Sequence, residues 1–306
     1  MTNPPVARYS RKSDCQTNAN KSCWGMTTYM AFSPWLAEQR FVAFDTETTG
    51  LWAASNRIVE IAGVAFRPGS DQTESFQELV NPGTPIPDEV VGIHGITDDM
   101  VADADSVGPV LARFFEFCGD EAILIAHNAP FDISFVAWEL LRAELPAPTN
   151  AILDSRPMAA AGLPGLPSYS LESLAMHLEL IERQEHRALS DAELVRGVFF
   201  GAAPSFLDCA NRTDFFERFR PLTFADSRPE EVALPAEFAD LGRAINESRM
   251  VEIEYTKAGA EPHVRRITPL RIHGHNGNIY VNAFCRLAND ERTFRLDRIR
   301  RVRLID

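Results

Sequence analysis

The chain has 306 residues, 45% of them hydrophobic and 24% charged, and no apolar run of membrane-spanning length, so it reads as a soluble globular protein of about two domains. Its net charge of −13 argues against a protein coated in nucleic acid, but the charge is uneven: residues 241–306 hold 13 Lys+Arg against 8 Asp+Glu, a balance of +5, which leaves −18 for the remainder. The five cysteines are scattered without a zinc-type spacing and no signal peptide opens the chain, which fits a reducing cytoplasm.

Residues 1–32 lack periodicity and are expected to form a flexible extension, disordered or loosely docked. Ser33-Pro34 reads as an N-cap followed by proline at the first helical position. Residues 41–50 then run Phe-Val-Ala-Phe-Asp-Thr-Glu-Thr-Thr-Gly, a strand that enters a core and ends in two carboxylates. Alternate strand residues share a face, so Asp45 and Glu47 project together. Like charges that close repel, and a bound divalent cation removes the conflict.

Strands over 57–66 and 75–80, joined by short turns, complete an antiparallel meander with the first. In the following His94-Gly95-Ile96-Thr97, Thr97 is the expected N-cap of a short helix and His94 a turn histidine. A helix over 106–118 and a buried strand over 122–126 lead to His127-Asn128-Ala129-Pro130-Phe131-Asp132. There Asn128 is the expected cap, and Asp132 lies in the first turn of a helix reaching about residue 143. A short strand over 151–154 and a helix over 170–177 precede His186-Arg187-Ala188-Leu189-Ser190-Asp191, which opens an amphipathic helix to about residue 201. Five positions apart on one helix, His186 and Asp191 would diverge by roughly 140°. Facing one site therefore requires His186 to sit on the preceding loop.

Residues 202–235 combine Phe206, Phe215, Phe216, Phe219 and Phe224 with Pro221, Pro229 and Pro235, the pattern of a linker that packs against something. A helix over 236–247 and closely spaced strands over 250–256, 264–273, 278–285, 292–296 and 300–304 suggest a small barrel.

The three segments at 41–50, 127–132 and 186–191 resemble, in order, the exonuclease motifs of the DEDDh family of 3′-5′ exonucleases. That family includes the proofreading subunit of bacterial DNA polymerase III and RNase T. The tail resembles the WYL domain through Arg266-Ile267-Thr268-Pro269-Leu270, Cys285-Arg286 and residues 292–299, with Ile279-Tyr280-Val281 at the naming triplet, where only the tyrosine is kept. The resemblance implies an α/β chain: a ribonuclease-H-like, mixed five-stranded sheet with helices on both faces over 33–201, and a small SH3/Sm-like all-β barrel over 236–306.

It further implies removal of nucleotides from the 3′ end of nucleic acid, single-stranded DNA favoured, by two-metal phosphodiester hydrolysis in repair or replication-associated processing. Asp45 would bridge two Mg²⁺, for which Mn²⁺ substitutes; Glu47 and Asp191 would complete the site of the ion carrying the attacking water, and Asp132 would serve the second. His186 is the implied general base, since histidine titrates near neutrality. Thr48, Thr49, Leu51 and Phe131 would line the terminal-nucleotide pocket. The expected partners are single-stranded 3′ ends and a DNA polymerase or repair protein in a bacterial cytoplasm, with no membrane. Arg286, Arg292, Arg295 and Arg298 are candidates to hold phosphates or a ligand, with Tyr280 or Phe294 as a stacking face; the same arginines read equally as solvated strand faces with local salt bridges. Two other readings stay open: an exoribonuclease of the RNase T type, and a WYL-type regulator whose nuclease fold mainly binds ends.

Overall fold

A computed structural model of the chain describes residues 31–181, 184–227, 232–256, 261–275 and 277–305; the extension expected over 1–32 lies almost entirely outside them. After α1 (Pro34–Glu38), capped by the Ser33 hydroxyl on the Leu36 amide, the chain enters β1 (Phe41–Thr48). Alternation along β1 sets the architecture. Phe41 and Ala43 point into one apolar cluster and Val42 and Phe44 into another, so both faces of the strand need cover. β2 (Ile58–Phe66) is buried along its whole length and pairs antiparallel with β1, while β3 (Thr73–Leu79) forms the outer edge of the meander.

Two short helices follow, α2 (Asp88–His94) and α3 (Asp98–Val101). Sequence patterning had no place for α2. Thr97 does stand at the N-cap of α3, but its side chain makes no capping bond. α4 (Val107–Cys118) buries Val110, Leu111, Phe114 and Cys118 against the Val42 and Phe44 face. β4 (Ile123–Ala126) joins β1 in parallel, and α5 (Pro130–Arg142) packs beside α4. Asn128 is not the cap of α5: Ala129 holds that position, and Asn128 occupies the left-handed region at φ 59°.

β5 (Ile152–Asp154) completes the order β3-β2-β1-β4-β5, with β1, β4 and β5 parallel. The opposite face is covered by α6 (Ser155–Gly162), also unforeseen, α7 (Leu171–His177) and α8 (Ala188–Ala202). Gly162 allows α6 to cross the end of α8, since a Cβ there would stand 2.6 Å from the Ala202 carbonyl oxygen.

The segment expected to be a linker is largely part of this first core. Past α8 come a 3-10 turn (Ala203–Ser205) and α9 (Arg212–Arg218). Phe206, Phe215 and Phe219 are buried in the cluster that holds Phe41, and Phe224 in the cluster that holds Phe44. Leu222 exchanges two 2.8 Å backbone hydrogen bonds with Ile152, forming a single bridge on the outer side of β5.

The second unit is α10 (Ala239–Asn246) laid on β6 (Val251–Tyr255), β7 (His263–His275), β8 (Asn278–Cys285), β9 (Asp290–Arg295) and β10 (Ile299–Leu304). These strands form one antiparallel sheet in the order β10-β6-β7-β8-β9 around Leu241, Val251, Ile253, Ile267, Val281 and Phe294. Phe294 is thus core, 5% exposed, and offers no stacking face. Among the described residues no helix is long and apolar enough to cross a membrane.

Candidate active site

Asp45 and Glu47 leave the end of β1 beyond its last pairing with β4, Ala43 opposite Ile125, where the strand edge is open. Asp191 reaches in from the first turn of α8. One carboxylate oxygen from each of these three residues lies within 4.8 Å of the others. Asp132 stands outside that cluster. It is buried in α5, and its Oδ1 accepts hydrogen bonds from the Thr46 amide at 3.0 Å and the Thr46 hydroxyl at 2.7 Å. Thr46 alternates with Asp45 and Glu47 on β1, so this contact fixes the strand end from its other side.

The electrostatics of the metal-free cluster are strained. Burial first, then the charges of Asp132, Asp191 and Glu47, pushes the Asp45 carboxyl well above the usual carboxylate range. Burial and the neighbouring Asp191, Glu60 and Asp132 push Glu47 up to about 8, against the opposing pull of Arg187. Burial raises Asp132 to about 7 in spite of its bonds to Thr46, and raises Asp191 to about 6 in spite of the bond from Gln184 and the nearby His186. Such groups hold their protons to higher pH than ordinary carboxyls, and a bound cation would favour their ionised forms. An all-carboxylate donor set suits a hard, oxygen-seeking divalent ion, so the residues present fit a metal site.

His186 sits on the loop before α8, as facing Asp191 requires, with an exposed side chain and a left-handed backbone at φ 49°. Sequence reasoning missed what holds that loop. Glu60 is fully buried on β2, opposite Glu47 in the strand register. Its carboxylate accepts from Arg187 Nη2 at 2.6 Å and Nε at 3.1 Å, from the Ala188 amide at 3.0 Å and from Gln77 Nε2 at 2.9 Å. Burial alone would raise the Glu60 carboxyl, but these donors outweigh it and hold it below its ordinary value. Gln184 was also missed; its Nε2 donates to Asp191 Oδ1 at 2.7 Å. The one sequence signal was a charged residue, Glu60, inside an otherwise apolar strand.

Of the pocket candidates, Thr48 and Thr49 are buried and Leu51 is 75% exposed, followed by the equally protruding Trp52. The Thr48 hydroxyl donates to the Gly50 carbonyl, and the Thr49 hydroxyl accepts from the Arg57 amide. Phe131 is half-buried beside Phe135, their rings 5.0 Å apart. His94 is buried; its Nδ1 accepts from the Ile96 amide, as a turn histidine would. Its Nε2 makes no hydrogen bond of good geometry, although the Thr48 carbonyl is near enough to favour the charged ring, and burial lowers its pKa.

The tail arginines are not drawn to the carboxylates. Arg295 is bound to Asp297, with nitrogen–oxygen distances of 2.7 and 2.5 Å. Arg286 lies over Phe284, and Arg292 Nη1 donates to the Glu291 carbonyl. Arg298 is half-buried in the 3-10 turn between β9 and β10.

Residues 42–199 match the family described as Exonuclease, and residues 236–304 match the WYL domain. The DNA polymerase III PolC-type of Oceanobacillus iheyensis is 39% identical over 158 residues, and that of Listeria welshimeri 37% over 158 residues. Each alignment covers 52% of this chain, and the chain spans only 11% of the length of either relative. A solved structure titled "3'-end specific recognition of histone mRNA stem-loop by 3'-exonuclease" superposes at TM-score 0.50 and 16% identity, covering 68% of this chain and 75% of that one; the likeness is one of fold.

Proposed function

The chain belongs to the Exonuclease family, and from that premise we propose that it removes nucleotides from single-stranded 3′ ends, DNA favoured, with two Mg²⁺ ions. The observation that carries this reading is the approach of Asp45, Glu47 and Asp191 to within 4.8 Å, with Asp132 buried behind them. These four residues would hold the cations, which when bound supply a water acidic enough to attack and charge to stabilise the attacking and leaving oxygens.

The chain's own residues do the rest. His186, exposed on its loop, takes the proton of the attacking water. Glu60 and Arg187 fix that loop over the cluster, and Gln184 orients the Asp191 carboxylate. Thr48, Thr49, Leu51 and Phe131 seat the terminal nucleotide, the two threonines through backbone held rigid by their side-chain bonds. The likeness to polymerase-borne domains supports a polymerase or repair partner and a cytoplasmic setting. Domain limits of 33–201 and 236–306 accompany this reading, with 202–227 packed on the first.

Digestion of 3′-labelled single-stranded DNA, duplex DNA and RNA with Mg²⁺, beside Asp45→Ala, tests the proposal. Stepwise loss from the 3′ end, fastest on single-stranded DNA and absent in the variant, supports it. Preference for RNA would move the reading to an exoribonuclease. Binding of ends without cleavage would favour the regulator.

A further inference from the structure

The outer face of β7, β8 and β9 is seated on the nuclease unit, and its anchor points converge on one loop. Asn282 is buried, and its Nδ2 donates to the Ala54 carbonyl. Glu291, on neighbouring β9, pairs with Arg57 at 3.0 Å, both side chains being at most one-fifth exposed. On the same face the His273 ring packs edge-on against Trp138 of α5 at 4.5 Å and lies stacked on Tyr280 at 5.5 Å. From α5, Arg142 donates to the carbonyls of Ala53, Ala54 and Asn56.

Residues 51–57 are therefore held by both α5 and the C-terminal sheet, and they continue directly from Thr48, Thr49 and Gly50. Arg57 closes the loop on the pocket. Its carbonyl accepts from the Thr49 amide at 2.9 Å, and its amide donates to the Thr49 hydroxyl at 3.0 Å. The side chain that Glu291 holds thus belongs to the residue whose backbone fixes Thr49. The exposed tip of this loop carries Leu51 and Trp52.

We infer that the C-terminal sheet is a rear support of the terminal-nucleotide pocket, with Asn282 and Glu291 as positioning residues that act through residues 51–57. This rests on the exonuclease reading for its functional meaning, and on the contacts alone for the mechanical link. Loosening the support leaves the carboxylates in place, so it weakens the seating of the 3′ nucleotide without slowing the bond-breaking step.

The test uses the full chain with Glu291→Gln, Asn282→Ala, and Asp297→Asn, in the 3-10 turn between β9 and β10, as a control in the same unit. Hydrogen exchange over residues 49–57 should rise in the first two variants, with thermal unfolding of the protein remaining cooperative. KM for a six-nucleotide single-stranded DNA in Mg²⁺ should rise roughly five- to tenfold with kcat held, the size expected when one charge-assisted hydrogen bond stops ordering a loop. The control should match wild type. Unchanged exchange, or unchanged KM in an active enzyme, overturns the inference. Exchange raised in the variants over wild type, with neither wild type nor variants cleaving, would keep the mechanical link and overturn the exonuclease reading instead.

Discussion

Glu47 and Glu60 face each other across β1 and β2, yet the two carboxyls are driven in opposite directions. Glu47 is pushed up to about 8, whereas Glu60, wrapped by Arg187, Gln77 and the Ala188 amide, is held below its ordinary value. One carboxyl is crowded by other acids, and the other is occupied by the protein's own donors.

The first prediction follows from that contrast. Glu47 and Asp191 have folded pKa values, about 8 and about 6, above those of an unfolded chain. The folded metal-free protein then binds more protons than the unfolded one, so its stability should fall as pH rises from about 4.5 towards 8. Divalent-ion affinity should move the other way, increasing with pH as protons cease to compete. Melting curves with chelator and with Mg²⁺, taken across this range, should diverge as pH increases; parallel curves would contradict it.

Asp45→Ala should abolish hydrolysis and raise the melting temperature of the metal-free protein, because it removes a carboxyl whose ionisation is opposed by burial and by four other carboxylates. Mg²⁺ should then give little further stabilisation. Wild-type turnover in a pure preparation would remove Asp45 from the mechanism.

Glu60→Gln should loosen Arg187 and the loop that carries His186. Glu60 is buried but Arg187 is about one-third exposed and can turn to solvent, so stability should drop by about 1.5–3 kcal/mol, the span of hydrogen bonds to a charged group. Arg187→Lys, which keeps the charge and loses the fork, should recover only part of the rate. Chemical denaturation alongside single-turnover kinetics checks both, and a full-rate Glu60→Gln variant would sever Glu60 from the site.

His186→Ala should lose on the order of 10²- to 10⁴-fold in rate, the span of general-base removal, while Mg²⁺ binding by calorimetry stays close to wild type. An unaltered pH–rate profile in the variant would assign the proton transfer elsewhere.

Ending the chain after residue 202 should prevent folding, whereas ending it after residue 231 should keep the first core and its carboxylate cluster. The shorter form lacks Phe206, Phe215, Phe219 and Phe224, all buried, and loss of one such ring costs about 3–5 kcal/mol. Circular dichroism melts of the two forms decide it.

The sheet and the carboxylates were legible because they rest on local rules. Period-two alternation placed Asp45 and Glu47 on one side of β1, and helix geometry required His186 to precede α8. α2 and α6 escaped because seven- and eight-residue helices give too few turns for periodicity to register, and neither opens on a serine cap as the equally short α7 does at Ser170. Thr97 and Asn128 are cap-type residues whose side chains do not cap, a case in which composition alone misleads. Glu60 with Arg187, and Glu291 with Arg57, are 127 and 234 positions apart in the chain, and no local pattern connects them. The phenylalanines after residue 202 announced burial but not which core would receive them.

The bridge between Leu222 and Ile152 has a bearing on self-association. β5 is only three residues long and would otherwise end the sheet with bare amides and carbonyls, a template for another copy to add a strand. At the far side, β3 presents Glu74, Gln77 and Glu78 instead, a polar margin that discourages the same event. The two margins are protected by different means, a plug at one and charge at the other. A lesion that frees residues 219–224 should therefore make the protein aggregate through β5, even with its carboxylate cluster intact.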